Sequence, residues 1–279
     1  GRVSSSRVTW SHPVMTEQAF EFIRDNRNEP FLLHVHWTIP HANNEGGRVH
    51  GDGMEIPDYG RYADMEWSNV SKGQAAMISW MDRDVGRLVK LLRELDLEKK
   101  TLVMFTSDNG PHSEGGHRHE VFDANGPLRG FKRDLYEGGI RVPTIGWWPG
   151  VVEAGTTCSE PLAFWDFLPT ACELAGAEIP GDVDGISFVN ALRGREQASH
   201  DYLYWKFGKK QALRAGDWKA VQVDAGKPIE LYDLGKDPGE ERNLAGKHAQ
   251  VVQRLRTLMA QAARHSDELA PVMSKLRDF

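Results

Sequence analysis

Residues 101–143 read TLVMFTSDNGPHSEGGHRHEVFDANGPLRGFKRDLYEGGIRVP, and the opening of this stretch decides the fold. Thr101 to Thr106 carries the unbroken apolar run Leu102-Val103-Met104-Phe105, the pattern of a strand buried on both faces. Asp108-Asn109-Gly110-Pro111 stops it. In open α/β sheets ligands collect beyond the carboxyl ends of strands, so a carboxylate beside an amide at such an end is placed to hold one. Adjacent strand residues point to opposite faces; Asp108 and Asn109 reach a single ion only where the backbone bends, which Gly110 and Pro111 favour. Their oxygens suit a hard cation, calcium or magnesium. An ordinary strand-ending turn has the same composition, and the local sequence leaves both readings open.

Upstream, Thr16 caps a predicted helix over Glu17 to Asn26, with Ala19, Phe20, Phe22 and Ile23 facing inward, and Pro30 closes that segment. Phe31, Leu33, Val35 and Trp37 then alternate with Leu32, His34 and His36, a strand pattern ending in Thr38-Ile39-Pro40-His41. His41 therefore falls at a strand end, as Asp108 does, whereas His34 and His36 fall within the strand. Residues 43–67 are rich in Gly, Asn, Asp and aromatics without a period and read as a long surface loop carrying substrate contacts. A helix over Ser68 to Asp96 follows, its stripe formed by Ile78, Met81, Val85, Leu88, Leu92 and Leu95; Met77 and Trp80 belong to the same packing.

Downstream, Val142 to Trp148 is a further strand, and Leu162 to Ala175 a helix stopped by Gly176. Alternating strands and helices predict an α/β fold with a largely parallel or mixed sheet flanked by helices. Around Gly194 the pattern changes. Tyr202–Phe207, Gln211–Ala215, Trp218–Val223 and Ile229–Leu234 are short strands, two of them joined by Gly216-Asp217, so a small antiparallel sheet is expected. Lys247 to His265 forms a helix whose Val251, Leu255, Leu258 and Ala262 cover it. The predicted organisation is a main α/β part at 1–195 and a C-terminal subdomain at 196–279.

With 279 residues, 40% hydrophobic and 27% charged, the chain can bury a sizeable core. No apolar run reaches the roughly eighteen residues of a membrane span. A formal net charge of −6 argues against a broad nucleic-acid surface, so an anionic substrate must be drawn by local cations. His112, His117, Arg118, His119, Arg129, Lys132, Arg133 and Arg141 crowd one segment, offset in part by Glu114, Glu120, Asp123, Asp134 and Glu137. Cys158 and Cys172 could pair or stay reduced, and no zinc-type spacing exists.

Three motifs in order, Phe105-Thr106-Ser107-Asp108-Asn109-Gly110, then Leu128-Arg129-Gly130-x-Lys132, then Glu137-Gly138-Gly139-x-Arg141-Val142-Pro143, resemble the type I, formylglycine-dependent sulfatases of the alkaline phosphatase superfamily. The Pro30-Phe31 to Pro40-His41 run is similar to the sulfatase segment whose His meets the sulfate ester. Glu230-Leu231-Tyr232-Asp233-Leu234, Asp237-Pro238 and Glu241-x-Asn243-Leu244 are similar to the C-terminal subdomain of these enzymes. The resemblance implies Asp108 and Asn109 as calcium ligands, Lys132 gripping a sulfate oxygen, His41 contacting sulfate and the leaving ester oxygen, and His112 touching substrate. It further implies a sulfated small molecule or glycan as substrate and a periplasmic or secreted location.

The departures are as informative. Neither Cys158 nor Cys172 is followed by Pro/Ala-x-Arg, so the C/S-x-P/A-x-R motif that yields the formylglycine nucleophile is missing. Missing too are the opening strand with paired aspartates and the Gly-Lys-Trp-His segment, which in the family precede the Pro-His strand. The sequence therefore resembles a sulfatase without its N-terminal portion. Three readings stay open: part of a working sulfatase completed by that segment, a non-catalytic fragment that at most binds sulfated ligands, or a phosphonate or phosphodiester hydrolase of the same superfamily.

Overall fold

The computed structural model describes the backbone of residues 8–275 and side chains to residue 264; the Ser-rich start at 1–7 lies outside the described residues. The chain divides into two compact units. One contains Gly1–Val103, His112–Asp123 and Trp147–Gly150; the other contains Met104–Pro111, Ala124–Gly146 and Val151–Phe279.

In the first unit, α1 (Ser11–Asp25), α2 (Asn44–His50) and α3 (Asn69–Glu94) are the helices. Ala19, Phe20 and Ile23 of α1 close on Leu91 and Leu92 of α3, joined by Leu97. α1 begins at Ser11, ahead of the expected Thr16 cap. Thr16 is instead wholly buried, its hydroxyl 3.5 Å from Asp84 Oδ2, on which His12 Nε2 also closes at 3.0 Å. α3 matches its predicted span, with the Ser68 side chain accepting from Ser71 N, but its buried face runs through Gly73, Met77, Asp84 and Leu91 and leaves Ile78 exposed. A Cβ on Gly73 would lie 2.1 Å from Met54 O, so this glycine lets the helix approach the neighbouring chain.

Phe31, Leu33 and Val35 pack half-buried against the α1–α3 cluster, while Leu32, His34 and His36 are exposed, so the predicted alternation holds. The segment nevertheless forms no β-ladder among the described residues. An alternating pattern requires only a core on one side, and the partner backbone that makes a strand is not written in it. Within the predicted loop at 43–67, Asn43 caps α2 by accepting from Gly46 N at 2.9 Å, and Gly51, at φ 75°, ends it.

The second unit contains Met104–Thr106 of β1 (Val103–Thr106), α4 (Glu137–Ile140) and Thr144–Gly146 of β2 (Thr144–Trp147), with β1 and β2 paired. α5 (Phe167–Ala175) ends at Gly176, left-handed as predicted, and α6 (Val189–Leu192) is one turn. β3 (Leu203–Phe207), β4 (Lys210–Ala215), β5 (Trp218–Gln222) and β6 (Glu230–Asp233) form the expected antiparallel sheet in sequence order, with Leu213 opposite Ala220 and Ala220 opposite Leu231. Successive strand residues face opposite ways. Leu213, Ala220 and Leu231 meet Leu255 and Met259 of α7 (Ala249–Lys275), and Ala212, Val221 and Tyr232 meet Leu135 and Tyr136 on the other side. That second face anchors the segment leading into α4. No helix among the described residues is long and apolar enough to cross a membrane.

Candidate functional site

Asp108 and Asn109 lie just past the carboxyl end of β1, Asp108 exposed and Asn109 half-buried. Their neighbour Gly110 is immobilised by close backbone contact. Its N–H donates to Gly139 O at 3.0 Å, and a Cβ there would fall 1.9 Å from Gly138 O. Lys132 is tied to the same turn, its N–H donating to Pro111 O at 2.8 Å, and Gly138 N–H closes the set by donating to Arg129 O at 2.7 Å. Three backbone bonds thus interlock the three motifs. Gly138 and Gly139 are glycines because added Cβ atoms would meet Gly130 O at 2.3 Å and Asp134 O at 2.3 Å.

The turn carrying the half-buried Lys132 is braced from both ends. Asn125 Nδ2 donates to Leu128 O and, at 3.1 Å, to Gly130 O. Lys210 Nζ donates to Arg133 O at 3.1 Å and Asp134 Oδ1 at 2.8 Å. Arg133 takes the left-handed conformation at φ 77° and is exposed. Arg129, which in sequence reads as one of many loop cations, is a structural residue: its guanidinium donates to Tyr232 Oη at 2.8 Å and Glu240 O at 3.1 Å, and its carbon sits 3.9 Å from the Tyr136 ring centroid. Both Tyr136 and Tyr232 donate to Glu230 Oε2, and burial pushes both phenols up.

His41 and His112 belong to the first unit, with ring centroids 5.8 Å apart. His41 N–H donates to Thr38 O, and its Nδ1 sits 2.7 Å from Ala42 O. Its Nε2 is 3.3 Å from Glu114 Oε2, a partner the sequence did not single out. Side-chain exposure is 47% for His41 and 10% for Glu114, so the histidine presents an edge to solvent while the carboxylate beneath it is covered. His112 is buried and engaged at both nitrogens: Nδ1 accepts from Glu114 N at 3.2 Å, which leaves Nε2 as the donor to Pro40 O at 3.0 Å. The ring fixes the turn that carries His41. Beyond it, His117 is buried with its Nδ1 lacking a hydrogen-bond partner among the described residues, and burial, with His112 and His119 nearby, pushes its pKa down to about 4.

Among the described residues no group of three or more His, Cys, Asp or Glu could hold a metal ion. Asp108 and Asn109 offer two oxygen donors of the type a hard cation takes, fewer than the six to eight oxygens calcium collects. Cys158 and Cys172 are both free thiols.

A carboxylate and an amide follow the carboxyl end of the half-buried strand β1 and are tied by backbone hydrogen bonds to the turn that carries Lys132. The comparisons with known proteins carry this further. Residues 8–177 match the sulfatase family model, and residues 128–265 match the model of the C-terminal part of N-sulphoglucosamine sulphohydrolase. Steryl-sulfatase of Mus musculus is 33% identical over 94% of this chain and 46% of its own length. N-acetylgalactosamine-6-sulfatase of Sus scrofa is 26% identical over 94% of this chain and 54% of its own. The crystal structure of Ps i-CgsB in complex with k-i-k-neocarrahexaose superposes with a TM-score of 0.75 at 25% identity, covering 93% of this chain and 55% of that one. The chain belongs to the sulfatase family and has its alkaline phosphatase-like α/β fold. It spans about half the length of these relatives.

Proposed function

We infer that this chain supplies the calcium- and sulfate-binding loops of a sulfuric ester hydrolase acting on a sulfated glycan or other sulfated small molecule, and that the nucleophile comes from a segment the present sequence does not contain. The observation that carries this reading is the interlock of Asp108-Asn109-Gly110, Lys132 and Gly138-Gly139 by backbone hydrogen bonds, a geometry that only those glycines permit.

In this reading Asp108 and Asn109 hold calcium, or magnesium, which when bound offsets charge on the sulfuryl oxygens. Lys132 binds one of those oxygens through its ammonium group. His41 holds a proton at the ester oxygen that leaves, so that an alcohol rather than an alkoxide departs. His112, with both nitrogens committed to backbone, positions His41 and does not itself meet substrate. No residue here attacks sulfur, and electrostatic groups left without a nucleophile retain only a small residual rate. The family's periplasmic or secreted setting is part of the same proposal and is checked by cell fractionation.

The test is release of a chromogenic phenol from its sulfate ester. Adding the N-terminal sulfatase segment with matured formylglycine is expected to give calcium-dependent turnover, with none from the 279-residue chain alone. Turnover by the chain alone that survives a chelator overturns the assignment. Failure of every such pairing to turn over, despite a stable complex, favours a non-catalytic binding fragment.

A further inference from the structure

Glu137, Lys219 and Glu240, far apart in sequence, meet in the interior of the second unit. Lys219 Nζ lies 2.8 Å from Glu137 Oε1 and 2.9 Å from Glu240 Oε1. Glu240 Oε2 accepts the backbone N–H of Glu137 at 2.6 Å. Exposure is 4% for Glu137 and zero for the other two, so one ammonium and two carboxylates are buried together. Burial raises the Glu240 carboxyl, with Lys219 opposing it. Such a cluster is weak support for stability, since desolvating three charges costs as much as their attraction returns, and a well-packed apolar substitute often does as well. Its value lies in what it holds.

Lys219 is the second residue of β5 and is paired on both sides, opposite Arg214 of β4 and Tyr232 of β6. Glu137 opens α4, and the next two residues make the contacts that shape the site: Gly138 N–H to Arg129 O, and Gly139 O from Gly110 N–H. Arg129 also donates to the carbonyl of Glu240, so that segment touches both sides of the Lys132 turn. We propose that Lys219 is a positioning residue: through Glu137 and Glu240 it fixes α4 on the C-terminal sheet and thereby sets the placement of Asp108, Asn109 and Lys132. The functional meaning of that placement rests on the sulfatase reading; the placement itself does not.

Amide hydrogen exchange on the chain separates the two. In Lys219→Met, exchange at Gly110, Lys132 and Gly138 is expected to rise about tenfold or more, while Leu213 and Leu231 in the same sheet stay protected. Glu137→Gln, which keeps the side-chain shape and an acceptor for Lys219, should show the same local pattern at smaller amplitude and guards against a Lys219→Met protein that does not fold. Glu240→Gln retains a carbonyl acceptor for Glu137 N–H and should change Gly138 least. Equal acceleration across site and sheet amides in Glu137→Gln would mean a general stability role, and no acceleration at Gly110 and Lys132 would mean that the cluster does not reach the site; either outcome overturns the proposal.

Discussion

The turn that carries Lys132 and the turn that carries His41 differ in what closes them: backbone bonds crossing between motifs in the first, an imidazole bridge in the second. Asn125 and Lys210 side chains also brace the first, and a backbone bond from His41 to Thr38 the second. Lys132 rests on backbone: Pro111 O, the Arg129–Gly138 bond and the Gly110–Gly139 bond, with glycines where carbonyls press on Cα. His41 rests on side chains, above all the His112 ring, which bridges Pro40 O and Glu114 N, and the Glu114 carboxylate. A backbone-locked turn tolerates pH but not volume. An imidazole-locked turn tolerates volume but depends on which ring nitrogen carries the proton, because the same ring must accept at one nitrogen and donate at the other.

Gly138→Ala attacks the first design directly, because its Cβ would fall within 2.3 Å of Gly130 O and 2.6 Å of Arg129 O. A loss of about 3 kcal/mol or more is expected by urea denaturation. Gly86→Ala is the control: an added Cβ there meets nothing within 4 Å and sits in helix α3, so a gain of up to ~1 kcal/mol is expected. Comparable losses at both positions would remove the argument from close backbone approach.

The imidazole side is probed by pH. His117 has a pKa of about 4 in the folded chain against 6.5 unfolded, so between those values the unfolded state binds the extra proton. Stability from this group is therefore fully present above about pH 6.5 and falls progressively toward pH 4, by up to ~3 kcal/mol. His117→Phe, beside Phe122, should flatten that part of the profile. The slope left over includes His12, whose pKa burial also lowers. An unchanged profile in the variant would show that His117 is not buried neutral.

If the proposed function holds, then with the N-terminal sulfatase segment supplied Lys132→Ala is expected to lower kcat about a hundredfold or more, the loss typical of one transition-state donor, while Arg133→Ala, exposed and serving the turn through its left-handed backbone, should cost little. Equal small effects would count against Lys132 as the sulfate contact. His112→Ala strips partners from Pro40 O and Glu114 N and should cost about 2 kcal/mol in a thermal or urea titration. A cost indistinguishable from zero would mean water replaces the ring and that His41 is placed by its other contacts.

Much of this was legible in the chain itself. Leu102 to Phe105 gave β1, Gly176 gave the end of α5, and the alternation after Tyr202 gave all four strands of the small sheet with the Gly216-Asp217 turn, because period and turn chemistry are local properties. The glycines of the site motifs were legible for the same reason, since a position that admits no Cβ constrains its own residue. What stayed hidden was reciprocal. Phe31 to Trp37 has the alternation of a strand but no ladder, Ile78 has the spacing of a core residue but is exposed, and Asn43 caps a helix inside an apparent loop. Glu114 beside His41, and Lys219 between Glu137 and Glu240, look in sequence like ordinary surface charges. A charge declares its role only through its partner, and a partner some eighty residues away is chosen by the fold; the sequence set which residues could bind and bend, and the tertiary structure alone decided which charges meet in the interior.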